Sequence, residues 1–235
     1  MRFSLSAVLL LVAALFAAPA ANADDLTPHT AQYKVKISLL SGRLNTELRE
    51  TEDGYVATHV VKPTGLIGRL KGGRMSVRSE FRTAADGVRP VAFRETDSIR
   101  NDPETNIRFD WTTNRAIGTV GEDEVNLQLA GLSHDNVSIQ YELMHDLLNG
   151  QPDDTYMLFD VDKMRVANVR NVGTKSIKTK AGTYEAVGIQ HQKEGSSRVT
   201  TLWCAPKLGF LPVVIEQHRK GKLNFQATLT RYNPI

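Results

Sequence analysis

The chain has 235 residues, 41% of them hydrophobic, with one cysteine and 29 basic against 26 acidic side chains. A single cysteine excludes an intramolecular disulfide framework, so burial has to supply the stability. A formal net charge of +3 does not predict nucleic-acid binding, which needs a concentrated basic face.

The first residues read as an export signal. Arg2 is followed by an apolar run from Leu5 to Ala18, Pro19 breaks it, and Ala21-Asn22-Ala23 supplies the small-x-small cleavage pattern. The run falls short of the roughly 20 apolar residues a membrane helix needs, and no later segment is longer. Cys204 lies far from the junction, so lipid attachment there is not expected. The reading is a periplasmic protein that is not a lipoprotein and has no integral membrane span after cleavage. Residues 1–23 form the signal peptide and residues 24–235 a single β-rich domain.

Period-two alternation begins at "YKVKISL". Tyr33, Val35, Ile37 and Leu39 fall on one face, with Lys34, Lys36 and Ser38 on the other. Turn pairs then punctuate the apolar runs: Asp53-Gly54, Gly72-Gly73, Asp86-Gly87, Ala181-Gly182, Glu194-Gly195, Leu208-Gly209 and Lys220-Gly221. Helical patterns between strands are missing, so parallel βαβ units are not expected and an antiparallel meander is. The segment "KPTGLIGRLKGG", Lys62 to Gly73, reads as a loop or single helical turn at the sheet rim. Its glycines accompany Arg69, Lys71, Arg74 and Arg78, where backbone and side chains together suit an anionic head group. Solvated charges on an edge strand explain the same string equally well.

One segment has helical spacing. In "SHDNVSIQYELMHDLLNG", Val137, Tyr141, Met144 and Leu148 recur with Leu147 beside them, predicting one amphipathic helix at about 136–149. Asp135 or Asn136 caps its start, and Gly150 suits the left-handed position after its end. Ser133-His134-Asp135 cannot form a catalytic relay, because a base and a nucleophile must converge from separate elements. His134-Asp135 and His145-Asp146 repeat a doublet, but the six histidines show no metal-ligand spacing, so exposed loop or helix-face histidines are expected and no metal.

The stretch "RVTTLWCAPKLGFLPVVIE" contains Cys204. Alternation puts it with Leu202 and Thr200 on one strand face and Trp203 on the other, which predicts a small buried side chain and not a nucleophile. At the C-terminus, "KLNFQATLT" alternates Leu223, Phe225, Ala227 and Leu229 with polar residues.

Several of these pieces together resemble a family of exported bacterial proteins, the domain-of-unknown-function family 3108. They are "PTGLIGRL" (63–70), "RSEF" (78–81), "GVRPVAF" (87–93), "FDW" (109–111), "NVSIQYELMHDLLNG" (136–150), "TKAGTYEAV" (179–187) and "LWCAPKLGFLPVVIE" (202–216). The resemblance implies a strongly curved sheet, similar to the half-barrels of periplasmic lipoprotein carriers such as LolA and LolB. It brings no catalytic residues.

The expected fold is therefore mainly β: one strongly curved antiparallel sheet, a half-barrel or open barrel, with one amphipathic helix. The expected function is non-enzymatic binding or carriage of a lipid or another apolar or amphipathic envelope molecule, without a cofactor. Tyr33, Phe81, Phe93 and Trp111 are the expected cavity lining, with Arg69, Lys71 and Arg74 at the rim. The alternatives are a structural protein that docks an envelope partner and a hydrolase of envelope polymers.

Overall fold

Alternating side chains divide β1 (His29–Ile37) cleanly: His29, Ala31, Tyr33 and Val35 are buried, and Lys34 and Lys36 are exposed. The same division recurs through β2 (Leu40–Thr51), β3 (Gly54–Thr64), β4 (Met75–Ala84), β5 (Gly87–Asp97), β6 (Asp102–Asp110), β7 (Arg115–Val120) and β8 (Asp123–Gln128). After a two-residue β9 (Ser133–His134) comes the helix α1 (Ser138–Asn149). The chain then runs through β10 (Thr155–Asp160), β11 (Lys163–Lys178), β12 (Thr183–Lys193), β13 (Arg198–Ala205), β14 (Leu211–Arg219) and β15 (Lys222–Pro234). This computed structural model describes residues 26–235 except 38, 39, 66, 67, 69–71, 85, 151, 161 and 162. The signal-peptide reading therefore lies outside the described residues, as do Leu39, Arg69 and Lys71.

All fifteen strands join one sheet in the order β8-β7-β6-β5-β4-β3-β2-β1-β15-β14-β13-β12-β11-β10-β9. Two meanders meet where β1 pairs with β15, and the sheet does not close, since β8 and β9 are its free ends. The expected open, curved, mainly antiparallel sheet is what forms. One pair departs from the expectation: β9 and β10 run parallel over two residues. A parallel pair needs a crossover, and α1 supplies it.

The curl brings the far end of the sheet back against its own middle. β9 returns beside β5, and Phe159 of β10 meets Phe109 of β6 edge to face at 5.7 Å between ring centroids. β10 is consequently buried on both faces, with Tyr156 toward α1 and Phe159 toward β6.

The helix occupies the interior of this curl. Val137, Tyr141, Met144 and Leu148, the stripe read from the sequence, pack on the main core cluster. Ile139, Leu143 and Leu147 pack on a second cluster with Tyr156, Val169, Ile189, Leu202 and Cys204. A helix buried on two sides is an interior element, and Glu142 is buried with it. Asp135 caps the helix as expected, its Oδ1 accepting the N–H groups of Val137 and Ser138 at 2.8 Å each. Gly150 departs from expectation: at φ 151° and ψ −105° it lies outside the left-handed helical region.

Toward one end of the sheet the strands outrun the core. Ile37 is 42%, Leu40 43% and Leu223 50% exposed, although all continue apolar faces that are buried farther along.

Candidate functional site

The aromatic residues expected to line a cavity are distributed through the core. Phe81 stacks between Tyr55 and Tyr141 at centroid distances of 5.8 and 5.1 Å. Tyr33 is buried, and its hydroxyl donates to the Pro212 carbonyl at 2.9 Å. Phe93 is buried opposite Ser79. Trp111 is half-buried at the end of β6, where its indole N–H donates to Pro90 O at 2.7 Å and the Arg89 guanidinium lies over its ring. Tyr33, Phe81 and Tyr141 belong to one core cluster, and Trp111 packs against it by stacking on Phe109 at 6.4 Å. Arg74 is exposed at the opposite end of β4, tied to the β5–β6 turn by its N–H to Ser98 Oγ at 2.9 Å.

The outer face of the central strands carries a different arrangement. Lys34 pairs directly with Arg43, and Arg43 directly with Lys62, so three cations stand in one row across β1, β2 and β3. All three are exposed. Lys180, in the β11–β12 turn, and Arg231 of β15 join Lys34 and Arg43 around a cleft of about 470 Å³ that also touches Tyr33. A second cleft of about 330 Å³ continues from it past Lys36 and Lys178. No carboxylate lines either cleft among the described residues. Cross-strand neighbours of like charge repel, and none of the ion pairs among the described residues includes these cations.

A buried polar cluster lies on the other side of the sheet, along α1. Glu142, His145 and Asp146 share one helix face because positions three and four apart are neighbours, and their ligand-type atoms all lie within 4.8 Å of one another. Glu142 accepts the Val88 N–H of β5, and Asp146 accepts the Tyr156 hydroxyl of β10. His134 of β9 points its Nε2 toward Glu142 Oε1 at 3.9 Å. Burial pushes the Glu142 carboxyl up to about 7 and the His134 imidazole down to about 4. The exposed histidines expected here are corrected: His134 is 1% exposed, because the returning edge of the sheet covers it.

The side chains weighed as nucleophiles are occupied or enclosed. Cys204 is 1% exposed, and burial pushes its thiol up to about 12. The Ser133 hydroxyl donates to Gly131 O at 3.0 Å, leaving the Ser133-His134-Asp135 string as a short strand feeding a helix cap.

The sequence profile of the DUF3108 family, described as a protein of unknown function, matches residues 30–228. The chain belongs to that family. Nothing among the curated proteins matches this DUF3108 chain. Its fold is similar to a crystal structure of a β-barrel-like protein of the domain of unknown function DUF1849 from Brucella abortus. The TM-score is 0.59 at 14% identity, covering 89% of this chain and 98% of that one. A protein from Bacteroides fragilis, described as exported and of YmcC-like fold, aligns at 15% identity and TM-score 0.39 over 87% of this chain and 95% of its own. A protein from Parabacteroides distasonis, described as a lipoprotein, aligns at 12% identity and TM-score 0.36, over 89% and 100%. Among the described residues no helix is long and apolar enough to cross a membrane, which leaves strand-built spans unaddressed.

The sequence reading of this DUF3108 chain took Lys34 only as an outward-facing strand residue, and it set aside the His134-Asp135 and His145-Asp146 doublets as exposed histidines. The cation row needs strand register, which the two flanking turns fix: Ile37 pairs with Leu40 and Thr51 with Gly54. The Glu142-x-x-His145-Asp146 spacing was visible, but its partners His134, Val88 and Tyr156 come from three other strands.

Proposed function

We propose that the protein is an exported, non-enzymatic envelope protein that binds the anionic head group of an amphipathic molecule over Lys34, Arg43 and Lys62. One observation carries this reading: three exposed cations stand in direct register on neighbouring strands, and no carboxylate lines the clefts that Lys34 and Arg43 border. Such a row costs the folded sheet repulsion, and a bound anion relieves it. Tyr33 touches the same cleft, while Phe81 and Phe93 support the sheet from its buried face. The exposed Ile37, Leu40 and Leu223 lie at the strand ends beyond Lys36 on the opposite sheet face from the cations, so an amphiphile whose tail turns over the rim meets apolar surface there. Export rests on the leader pattern from Arg2 to Ala23. The buried Cys204 thiol and the engaged Ser133 hydroxyl support a role without covalent catalysis.

A second reading, docking of an envelope protein, is favoured by β11. Beyond Asn168 its outer edge has no strand partner among the described residues, and Val172 is 37% exposed there. Open strand edges accept added strands.

The test is native mass spectrometry of the chain purified after export, compared with solvent-extracted material. A stoichiometric anionic amphiphile that disappears in Arg43→Glu supports the head-group reading. A protein partner cross-linked at β11, with no small adduct, favours docking instead.

A further inference from the structure

The cluster along α1 sits where β9, one end of the sheet, curls back beside β5, and each of its members is held from a different direction. Val88, from the N-terminal meander, donates its N–H to Glu142. Tyr156, from the C-terminal meander, donates its hydroxyl to Asp146 and accepts the Asp153 N–H at 2.8 Å. His145 Nδ1 lies 3.6 Å from Asp146 Oδ1. Gly87 is fitted to the cluster as well: its φ is 117°, and a Cβ there would stand 2.3 Å from Glu142 Oε1.

An independent observation comes from His134. It is 1% exposed, its Nδ1 has no hydrogen-bond partner, and its Nε2 stops 3.9 Å short of Glu142 Oε1. Its Nε2 therefore faces the cluster from inside the core without reaching a hydrogen bond, aimed at a carboxylate that shares its surroundings with a second one.

The geometry points to a divalent-metal site at this seam, with Glu142, His145 and Asp146, whose ligand atoms lie within 4.8 Å of one another, as ligands from one helix face, and His134 of β9, 3.9 Å from Glu142 Oε1, closing in as the fourth. Two imidazoles and two carboxylates suit a borderline ion such as Zn²⁺, whereas Mg²⁺ and Ca²⁺ prefer all-oxygen sites. The Val88 N–H and the Tyr156 hydroxyl then act as outer partners that orient the carboxylates. His145 and Asp146 are 12% and 19% exposed at their side chains, which gives the ion a way in. By linking β9 to α1, the ion fastens the curled sheet at the place where the backbone leaves it open. This inference is independent of the head-group reading.

The experiment is calorimetric titration of the purified, chelator-treated chain with Zn²⁺, Mg²⁺ and Ca²⁺, with Co²⁺ absorption as a ligand-field readout. The expected result is one Zn²⁺ per chain, at least ~100-fold tighter than Mg²⁺ or Ca²⁺, and a melting temperature raised by several degrees, as for any ligand of the native state. His145→Ala and Asp146→Asn should each weaken Zn²⁺ about 10- to 100-fold while keeping the wild-type circular dichroism. Asp146→Asn preserves side-chain shape, so it decides the matter even where a larger truncation unfolds the protein. Absence of Zn²⁺ binding, or unchanged affinity in the folded variants, overturns the proposal.

Discussion

Lys34 and Arg43 stand directly opposite each other on neighbouring strands, and Arg43 meets Lys62 in the same way on its other side. Like charges directly opposite each other on neighbouring strands cost stability. Replacing Arg43 with glutamate turns two repulsive contacts into two attractive ones. Arg43→Glu should therefore raise stability by about 1 kcal/mol at low salt, with the gain shrinking as salt screens the pairs. Urea unfolding at two ionic strengths checks this; a destabilised variant would mean that the cations are compensated within the fold.

Acid should loosen the fold through its enclosed histidines. Burial, with repulsion from His29 second, holds His59 down to about 4 against an ordinary 6.5. Between those values the unfolded chain takes up a proton that the folded chain refuses, so stability is full above pH 6.5 and declines as pH falls toward 4. One such histidine costs about 2 kcal/mol at pH 5. His59→Gln should show a shallower decline than the wild type across this window in denaturant titrations. Superimposable slopes would remove His59 from the account.

The single cysteine should be chemically silent. With Cys204 1% exposed and its thiol pushed up to about 12, thiol reagents should label the native chain only after denaturation. Cys204→Ser places a hydroxyl in an apolar cluster and should cost roughly 1–3 kcal/mol. Rapid native labelling, followed by mass spectrometry, would contradict this packing role.

Gly87 should tolerate no side chain. Its φ of 117° is open mainly to glycine, and Glu142 fills the space that a Cβ would need. Gly87→Ala should destabilise the protein by at least ~1 kcal/mol and displace the Glu142 bond to Val88. Thermal unfolding checks the first, and amide exchange at Val88 the second.

The strand architecture was legible because period-two alternation follows from a sheet with one buried face, as in Tyr33 and Val35 against Lys34 and Lys36. The stripe Val137, Tyr141, Met144 and Leu148 revealed the helix for the same kind of reason. What alternation cannot convey is how far the sheet curls. Tyr33 and Phe81 read as lining for a ligand, whereas the helix stacks Tyr141 on Phe81 and shares one core cluster with both. His134 read as a loop residue because its cover comes from a strand pair it forms only after the crossover. The burial of Glu142 was not legible because the second buried side of α1 depends on the C-terminal meander. The cation row was recoverable in principle, since the pairs Ile37–Leu40 and Thr51–Gly54 fix which residues meet.

The central claim is that the Lys34–Arg43–Lys62 row receives an anionic head group, and vesicle co-sedimentation tests it most directly. The purified chain should associate with vesicles rich in anionic lipid and not with zwitterionic ones, and added salt should weaken the association. Arg43→Glu and Lys62→Glu, both folded, should each reduce it at least ~10-fold. Equal binding to both kinds of vesicle, or wild-type binding by the two variants, would contradict the account.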